Sequence, residues 1–301
     1  MNQFGDHFER YKTLRKLSVA ESTLRCEEVT HKYLWKFLEE KQFKGNELDI
    51  KRENLLEYCR YVNTKDDFKA NTKHHRIKLL KPFYNEAVRQ NWILLNPLYR
   101  IENPKREQVI PFTLTVQQMK ALLQLPDLNT VIGIRDRMMF ELMYCCGLRK
   151  EEVSKVCIDD FSEDYRRLKI KGKGGNESML YVGKMSAHFL KFYIENIYTH
   201  LKNKGTKYLL TSLKTGNALP ARWIEKITIS YGNQLGLKAK LLPHCFRYSV
   251  ATHLSEEGAD LRLIQAFLRH ASPETTTRYI RADFQRLKDV HAVTHPREVL
   301  H

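Results

Sequence analysis

The sequence predicts a mainly helical protein with two domains and one small β-hairpin. Apolar residues recur at helical spacing along most of the chain, which favours α-helices. A polar segment punctuated by Pro104 and Pro111 interrupts this pattern and is typical of a linker between domains. Beyond it, strand-like alternation surrounds a cluster of glycines that begins at Gly172, which predicts one hairpin. A length of 301 residues also suits two domains better than one.

The first predicted domain spans residues 1–104 and is built from helices alone. Periodic apolar residues predict helices over residues 21–43, 54–62 and 72–91. Residues 105–112 are predicted to form the linker. Residues 113–301 then form a second domain that ends in a C-terminal tail.

Basic side chains in and after the third predicted helix form a candidate contact surface for an anionic partner. On the helix, the basic side consists of Lys73, His74, His75, Arg76, Lys78 and Lys81. This run is either a solvated face or a grip on a polyanionic backbone. In the linker, Lys105 and Arg106 either follow phosphates or are solvated, and the same two interpretations apply to Arg222.

The second domain contains an apolar helix that places an arginine at a defined position. Thr115 is a typical N-cap for a helix over residues 116–125. Residues 134–146 are strongly apolar and predict a buried helix, and Gly147 is typical of the residue that follows a helix end. Arg149 is therefore expected just beyond a buried helix.

A glycine-rich turn follows this helix and carries a lysine at its tip. Residues 167–171 and 178–182 alternate like strands on either side of the turn. Lys173 is therefore expected on the exposed tip of a hairpin. The turn does not match a Walker phosphate-binding loop, because no Gly-Lys-Ser/Thr helix start follows it.

The C-terminal part of the chain gathers imidazole, guanidinium and phenol groups. His244 and Arg247 lie three residues apart, a spacing that puts both on one face of a helix. Asp260 is a typical N-cap for a second helix that ends near His270, and a third short helix carries Tyr279. Three short helices are therefore expected to bring these groups to one surface.

A surface rich in arginine and histidine, without a pair of carboxylates, suits an anionic oxygen centre. The guanidinium fork of arginine matches two non-bridging oxygens of a phosphate. A phenol is a covalent nucleophile when a base or nearby cations favour its phenolate. The residues therefore predict attack of Tyr279 on a phosphodiester that arginines hold.

The order and spacing of these motifs resemble the tyrosine recombinase (phage integrase) family, most closely its Xer-type members. The resemblance rests on a His-x-x-Arg motif, a Leu-x-His motif and a tyrosine nine residues later. Upstream, an arginine motif after a helix and a Gly-Lys-Gly hairpin complete the pattern. These motifs place the catalytic residues at Arg149, Lys173, His244, Arg247, His270 and Tyr279.

The resemblance implies a helical core-binding domain and a catalytic domain that form a C-shaped DNA clamp. It implies that the tyrosine attacks the scissile phosphate, forms a 3′-phosphotyrosyl bond and releases a 5′-hydroxyl group. Arg149 and Arg247 hold the non-bridging oxygens, and Lys173 protonates the leaving oxygen. His244 acts as the acid or base near the tyrosine, and His270 donates a hydrogen bond to the phosphate.

Three residues leave alternatives open in this assignment, and a fourth fits no motif. Arg269 stands where the family usually has Gly, and its side chain either shifts His270 or adds a phosphate contact. Lys171 is the rival for the catalytic lysine, and Tyr248 is the alternative nucleophile. His253 shares a helix with Arg247 but fits no motif, so we interpret it as structural.

Charge and resemblance together predict the partners. Lys and Arg number 51 against 35 Asp and Glu, and the formal net charge of +16 predicts a polyanionic partner. The resemblance implies a double-stranded DNA recombination site, with a homodimer on one site and a tetramer in the synapse. It favours a grip on the DNA backbone over a solvated face for the basic helix, so we predict DNA contacts from Lys73, Arg76, Lys78 and Lys81. It also implies that the C-terminal tail docks into a neighbouring protomer, as against packing on its own domain. A partner recombinase or an accessory DNA-binding protein is a further possibility.

Several features are expected to be absent. Adjacent His74 and His75 diverge on a helix, and the six cysteines lack paired metal-type spacing, so we predict no metal. The implied chemistry requires neither ATP nor another cofactor. No run approaches the roughly 18 apolar residues of a membrane span, so a cytoplasmic protein with reduced thiols is expected.

Three functions compete for this sequence. The first is a site-specific recombinase that acts in integration and excision or in dimer resolution. The second is a type IB topoisomerase-like enzyme, whose larger DNA-encircling parts are not apparent here. The third is a catalytically inactive DNA-binding relative, and the presence of chemically competent residues at all six positions speaks against it.

Overall fold

The computed structural model describes residues 5–65, 68–104, 111–171, 177–199 and 206–269. It is mainly helical with one two-stranded antiparallel sheet, as predicted. The chain forms two compact units, divided between Val109 and Ile110. Residues 105–110 lie outside the described ranges, so the exact bounds of the linker stay a prediction.

The first unit contains five described helices around one apolar core. They are α1 (Asp6–Lys16), α2 (Glu21–Glu40), α3 (Arg52–Thr64), α4 (Ala70–Lys78) and α5 (Lys81–Arg89). Each helix contributes buried side chains to this core, among them Phe8, Leu34, Leu55, Ile77 and Phe83. The pattern did not predict α1, because only Phe8 and Tyr11 are buried in an otherwise polar helix.

The helix predicted over residues 72–91 is two helices. The first, α4, ends at Lys78, and α5 begins at Lys81 with Pro82 in its first turn. Proline has no backbone N–H and its ring clashes with the carbonyl of the residue four positions earlier, so a continuous helix is disfavoured here. Leu80 and Phe83 are nevertheless buried as predicted, because the break leaves the apolar stripe on the same core.

The second unit contains seven described α-helices, a short 3₁₀ helix at Ile158–Asp160 and the sheet. The helices are α6 (Val116–Gln124), α7 (Val131–Cys145), α8 (Lys150–Val153), α9 (Lys184–Tyr193), α10 (Ala221–Gln234), α11 (Pro243–Glu256) and α12 (Leu261–Leu268). A π-helical segment, Ile194–Tyr198, continues α9. The predicted N-cap of α6 is confirmed, since the Thr115 hydroxyl accepts a hydrogen bond from the Gln118 N–H.

The core of this unit surrounds α7. Residues Met138, Met139, Phe140, Leu142 and Met143 are fully buried, and the helix packs against α6, α9 and α11. Phe140 stacks on Phe246 of α11 with ring centroids 5.2 Å apart. Burial on several sides explains why the apolar residues of α7 are not confined to one face. Its four charged residues pair with one another, Arg135 with Asp136 and Arg137 with Glu141.

The two strands are β1 (Arg167–Lys171) and β2 (Glu177–Tyr181). They pair antiparallel from Arg167 opposite Tyr181 to Lys171 opposite Glu177, so β2 lies one residue earlier than predicted. Leu168, Ile170 and Leu180 point into the core, whereas Lys169 and Glu177 form a 2.7 Å ion pair on the exposed face.

None of the described helices has the length and hydropathy that a bilayer crossing requires. All six cysteines are free thiols. In the described ranges, no three His, Cys, Asp or Glu side chains are grouped in a way that suits a metal ion.

Candidate active site

Arg149 lies on a turn that follows the end of α7. Gly147 adopts a left-handed backbone with φ of 56°. A Cβ atom at this glycine would lie 3.1 Å from Leu268 and 3.2 Å from Phe267, so the end of α12 packs closely on the turn. Arg149 is the N-cap residue of α8, and its side chain is 37% exposed. The structure thus places Arg149 directly after a buried helix, where the sequence predicted it.

Glu152 holds this turn in place. Its carboxylate accepts hydrogen bonds from the backbone N–H of Arg149 at 2.8 Å and from Arg149 Nη1 at 3.0 Å. Arg269, at the end of α12, donates to the same carboxylate, with Nη2 2.8 Å from Oε2. Burial alone would raise the pKa of Glu152, but the Arg149 N–H and the charges of Arg269 and Arg149 outweigh it and lower that pKa. Two guanidinium groups therefore share one ionised carboxylate.

Arg247 connects α11 to the turn that presents Arg149 and to the end of α12. It is 2% exposed, and its guanidinium donates hydrogen bonds to the backbone carbonyls of Gly147 and Leu268. The first carbonyl belongs to the turn that presents Arg149, and the second lies at the end of α12. Arg247 is therefore beside the Arg149 turn, while its contact with a phosphate stays a prediction.

His244 lies one turn before Arg247 on α11. The residue is exposed, and its ring stacks on the half-buried Tyr248 with centroids 6.1 Å apart. Partial desolvation of the ring lowers the pKa of His244. The Glu151 carboxylate opposes this effect, whereas the positive charges of Arg247, Lys150 and Arg149 act in the same direction as desolvation. The result is an imidazole that stays neutral at pH 7 and is able to accept a proton.

His253 has the structural role that the sequence suggested. It is 7% exposed, and both ring nitrogens are used, one by the Tyr144 hydroxyl at 2.9 Å and one by the Leu114 carbonyl at 2.8 Å. The Ser249 hydroxyl accepts a hydrogen bond from the Leu114 N–H. These contacts fasten the segment before α6 onto α11.

Three of the six predicted catalytic residues lie outside the described residues. These are Lys173, His270 and Tyr279, and the predicted DNA contacts Lys105 and Arg106 also lie outside them. The strands on either side of Lys173 are paired as predicted, and the rival Lys171 is exposed at the end of β1. The structure thus brings together Arg149, His244 and Arg247.

The Arg269–Glu152 pair is a feature of the site that sequence reasoning missed. The sequence singled out Arg269 as a departure from glycine, and Glu152 lies three residues after Arg149 in the first arginine motif. Nothing in the sequence signals their contact, because 117 positions separate them.

The predicted DNA contacts of the first unit differ from one another in environment. The guanidinium carbon of Arg76 lies 3.4 Å from the ring centroid of Tyr33 and 4.4 Å from that of Phe68. Lys73 and Lys81 donate to the backbone carbonyls of Asn63 and Ile101. Lys78 is exposed at the end of α4. In the second unit, Arg222 is exposed on α10, next to Trp223, which is 48% exposed.

This difference predicts separate effects for Lys78→Ala and Arg76→Ala. Lys78→Ala removes one exposed cation. The slope of the logarithm of the DNA-binding constant against the logarithm of the salt concentration is therefore expected to become shallower by about 0.9. Arg76→Ala removes two aromatic contacts worth about 0.5–2 kcal/mol each and is expected to lower the Tm. Fluorescence anisotropy at several salt concentrations and thermal unfolding measure the two effects. An unchanged salt slope for Lys78→Ala contradicts its assignment as a DNA contact.

Comparison with known proteins identifies the family. The sequence pattern of the phage integrase family matches residues 113–286. The chain belongs to this family. The pattern of the phage integrase SAM-like domain matches residues 3–103, which lie within the first unit. The family resemblance inferred from the motifs is therefore confirmed, and so is the separate N-terminal domain that it implied.

Curated relatives place the chain among the tyrosine recombinases of this family. It is 33% identical to tyrosine recombinase XerD of Staphylococcus epidermidis over 221 residues, which are 73% of this chain and 75% of the relative. It is also 33% identical to tyrosine recombinase XerC of Myxococcus xanthus over 230 residues, 75% of this chain and 76% of the relative.

Solved structures share the fold of this phage integrase family member. One is the XerH site-specific recombinase bound to its difH substrate, with a TM-score of 0.71 and 19% identity over 95% of this chain and 94% of that one. Another is a lambda integrase dimer bound to a COC′ core site, with a TM-score of 0.71 and 16% identity over 91% and 93% of the two chains.

Proposed function

We propose that this site-specific tyrosine recombinase cleaves one DNA strand through attack of Tyr279 on the scissile phosphate. The phenol oxygen forms a bond to phosphorus, and the bond from phosphorus to the 5′ oxygen breaks. The products are a 3′-phosphotyrosyl link and a free 5′-hydroxyl group. A 5′-hydroxyl of a second strand reverses the step and joins the exchanged strands, so the phosphodiester energy is conserved and ATP is not required.

One observation carries this proposal: three chemically complementary residues from distant parts of the chain meet at one place. Arg247 donates to the carbonyl of Gly147, two residues before Arg149, and the charges of both arginines act on His244. Two guanidinium groups beside a neutral imidazole suit a phosphate whose negative charge grows during attack.

Each residue has a role in this scheme. His244 accepts the phenol proton as the nucleophile attacks, since its lowered pKa keeps it neutral. Arg149 and Arg247 hold the non-bridging oxygens, and Lys173 donates a proton to the leaving 5′ oxygen. His270 donates a hydrogen bond to the phosphate.

The partners follow from the same scheme. We infer a double-stranded DNA site, because strand exchange requires two duplexes, and we infer a homodimer on each site and a tetramer in the synapse. The solved lambda integrase dimer and tetramer, bound to a core site and to a Holliday junction, support this assembly. We further infer that the C-terminal tail docks into the neighbouring protomer. No observation favours a topoisomerase or an inactive relative.

The test of this function is covalent capture of DNA by the wild-type protein. Binding sites are first selected from random duplexes, and each is then made with a 5′-bridging phosphorothiolate at successive positions. Cleavage of that bond leaves a thiol that does not religate, so the adduct accumulates. We expect a metal-independent adduct on one defined phosphate, with the DNA-linked peptide containing Tyr279. Absence of any adduct on tightly bound sites would refute the proposal.

A further inference from the structure

Arg269 occupies a backbone conformation that a residue with a side chain rarely adopts. It follows α12 with φ of 52° and ψ of 47°, in the left-handed region. Glycine adopts this conformation freely, whereas any other residue meets steric resistance there. The family usually has glycine at this position, so the arginine of this chain needs a side-chain interaction that offsets the unfavourable backbone.

The interaction is with Glu152. Arg269 is only 13% exposed at its side chain, and its Nη2 donates to Oε2 of Glu152 at 2.8 Å. The same oxygen accepts the backbone N–H of Arg149, while the other oxygen accepts Arg149 Nη1. Arg269 therefore helps to fix the Glu152 carboxylate and leaves the oxygen that accepts the Arg149 side chain available to it.

This contact has a geometric consequence. It ties the end of α12, the position directly before His270 in the sequence, to the turn that presents Arg149. Arg247 links the same two segments through the carbonyls of Gly147 and Leu268. Two guanidinium links thus fix the end of α12 against the Arg149 turn.

It also has an electrostatic consequence. Glu152 paired with Arg149 alone gives a neutral pair. Arg269 makes the group of three positive by one charge. This charge is expected to act mainly on the negative charge that grows on the phosphate during attack, so that it affects the rate of cleavage more than the affinity for DNA.

We propose that Arg269 is a further positioning residue of this recombinase, which acts on Arg149 through Glu152. It holds the shared carboxylate in place, and this carboxylate orients the Arg149 guanidinium toward the scissile phosphate. This inference rests on the proposed function, because the readout is cleavage.

The test compares Arg269→Gly with Arg269→Lys, Glu152→Gln and the double variant Arg269→Gly/Glu152→Gln. Glycine relieves the left-handed backbone, so Arg269→Gly is expected to fold. Arg262→Ala on the exposed side of α12 is the matched control, since it removes one positive charge from the same helix. Adduct formation is measured in single turnover against DNA concentration, and DNA affinity by anisotropy.

We expect Arg269→Gly to lower the maximal adduct rate about tenfold or more, with a DNA affinity within about twofold of wild type. Arg269→Lys restores part of the rate, and Arg262→Ala does not change it. The double variant is no slower than Glu152→Gln alone, because both changes remove the same interaction.

Three outcomes overturn the inference. One is a wild-type rate for Arg269→Gly. Another is additive effects in the double variant. The third is weaker DNA binding by Arg269→Gly with a salt slope lower by about 0.9, which indicates direct phosphate contact instead. If the wild type forms no adduct, the proposed function fails. Equilibrium unfolding of the wild type, Arg269→Gly, Glu152→Gln and the double variant still measures the Arg269–Glu152 coupling. Zero coupling there overturns the inference separately.

Discussion

Tyr279→Phe is expected to bind its DNA site with unchanged affinity and to form no covalent adduct. The change removes only the phenol oxygen, which is the atom that bonds to phosphorus, and keeps the ring. Loss of a nucleophile costs a rate factor of about 10⁴ or more. Gel separation of protein–DNA adducts on the phosphorothiolate substrate measures the loss, and anisotropy on intact DNA measures binding.

Tyr248→Phe is the matched control for this variant. Tyr248 is half-buried and stacks on His244, so its hydroxyl belongs to a tyrosine beside the described part of the site. Its phenylalanine variant retains the stacking ring and is expected to form adduct within about tenfold of the wild-type rate. If Tyr279→Phe forms an adduct and Tyr248→Phe forms none, the nucleophile is Tyr248 and not Tyr279.

Arg247→Ala is expected to lose both catalysis and a large part of the stability of the second unit. The guanidinium is buried and donates to two backbone carbonyls, and hydrogen bonds to a charged group contribute about 1.5–3 kcal/mol each. We therefore expect the free energy of unfolding to fall by about 3 kcal/mol or more. Urea unfolding measures the stability, and adduct formation measures the catalysis.

Arg149→Ala separates the two effects. Arg149 is 37% exposed at its side chain and pairs with Glu152 in a partly solvated place. Such a pair contributes about 0–1 kcal/mol, so we expect nearly wild-type unfolding. Loss of a preorganised donor to the reacting phosphate is expected to lower the adduct rate by about 10²–10³. The different roles inferred from burial are contradicted if Arg247→Ala is as stable as the wild type. They are also contradicted if Arg149→Ala is destabilised as much as Arg247→Ala.

The local elements of the active site could be predicted from the sequence because each depends on neighbouring residues. The end of α7 at Cys145, the turn at Gly147 and the N-cap at Asp260 follow from helix-end chemistry. The break between α4 and α5 was missed although Pro82 signals it, because the apolar stripe continues across it. α1 was missed because too few of its residues are buried to give a periodic signal.

The sequence by itself determined the family and predicted the catalytic residues, because the motifs combine side-chain chemistry with spacing along the chain. Only the tertiary structure decided which charges meet. Arg247 is buried on two carbonyls, Arg76 is packed on aromatic rings, and Arg269 shares Glu152 with Arg149. The physical reason is that hydrogen bonds and charge interactions depend on distance in space. Residues 117 positions apart come within that distance only when the chain folds.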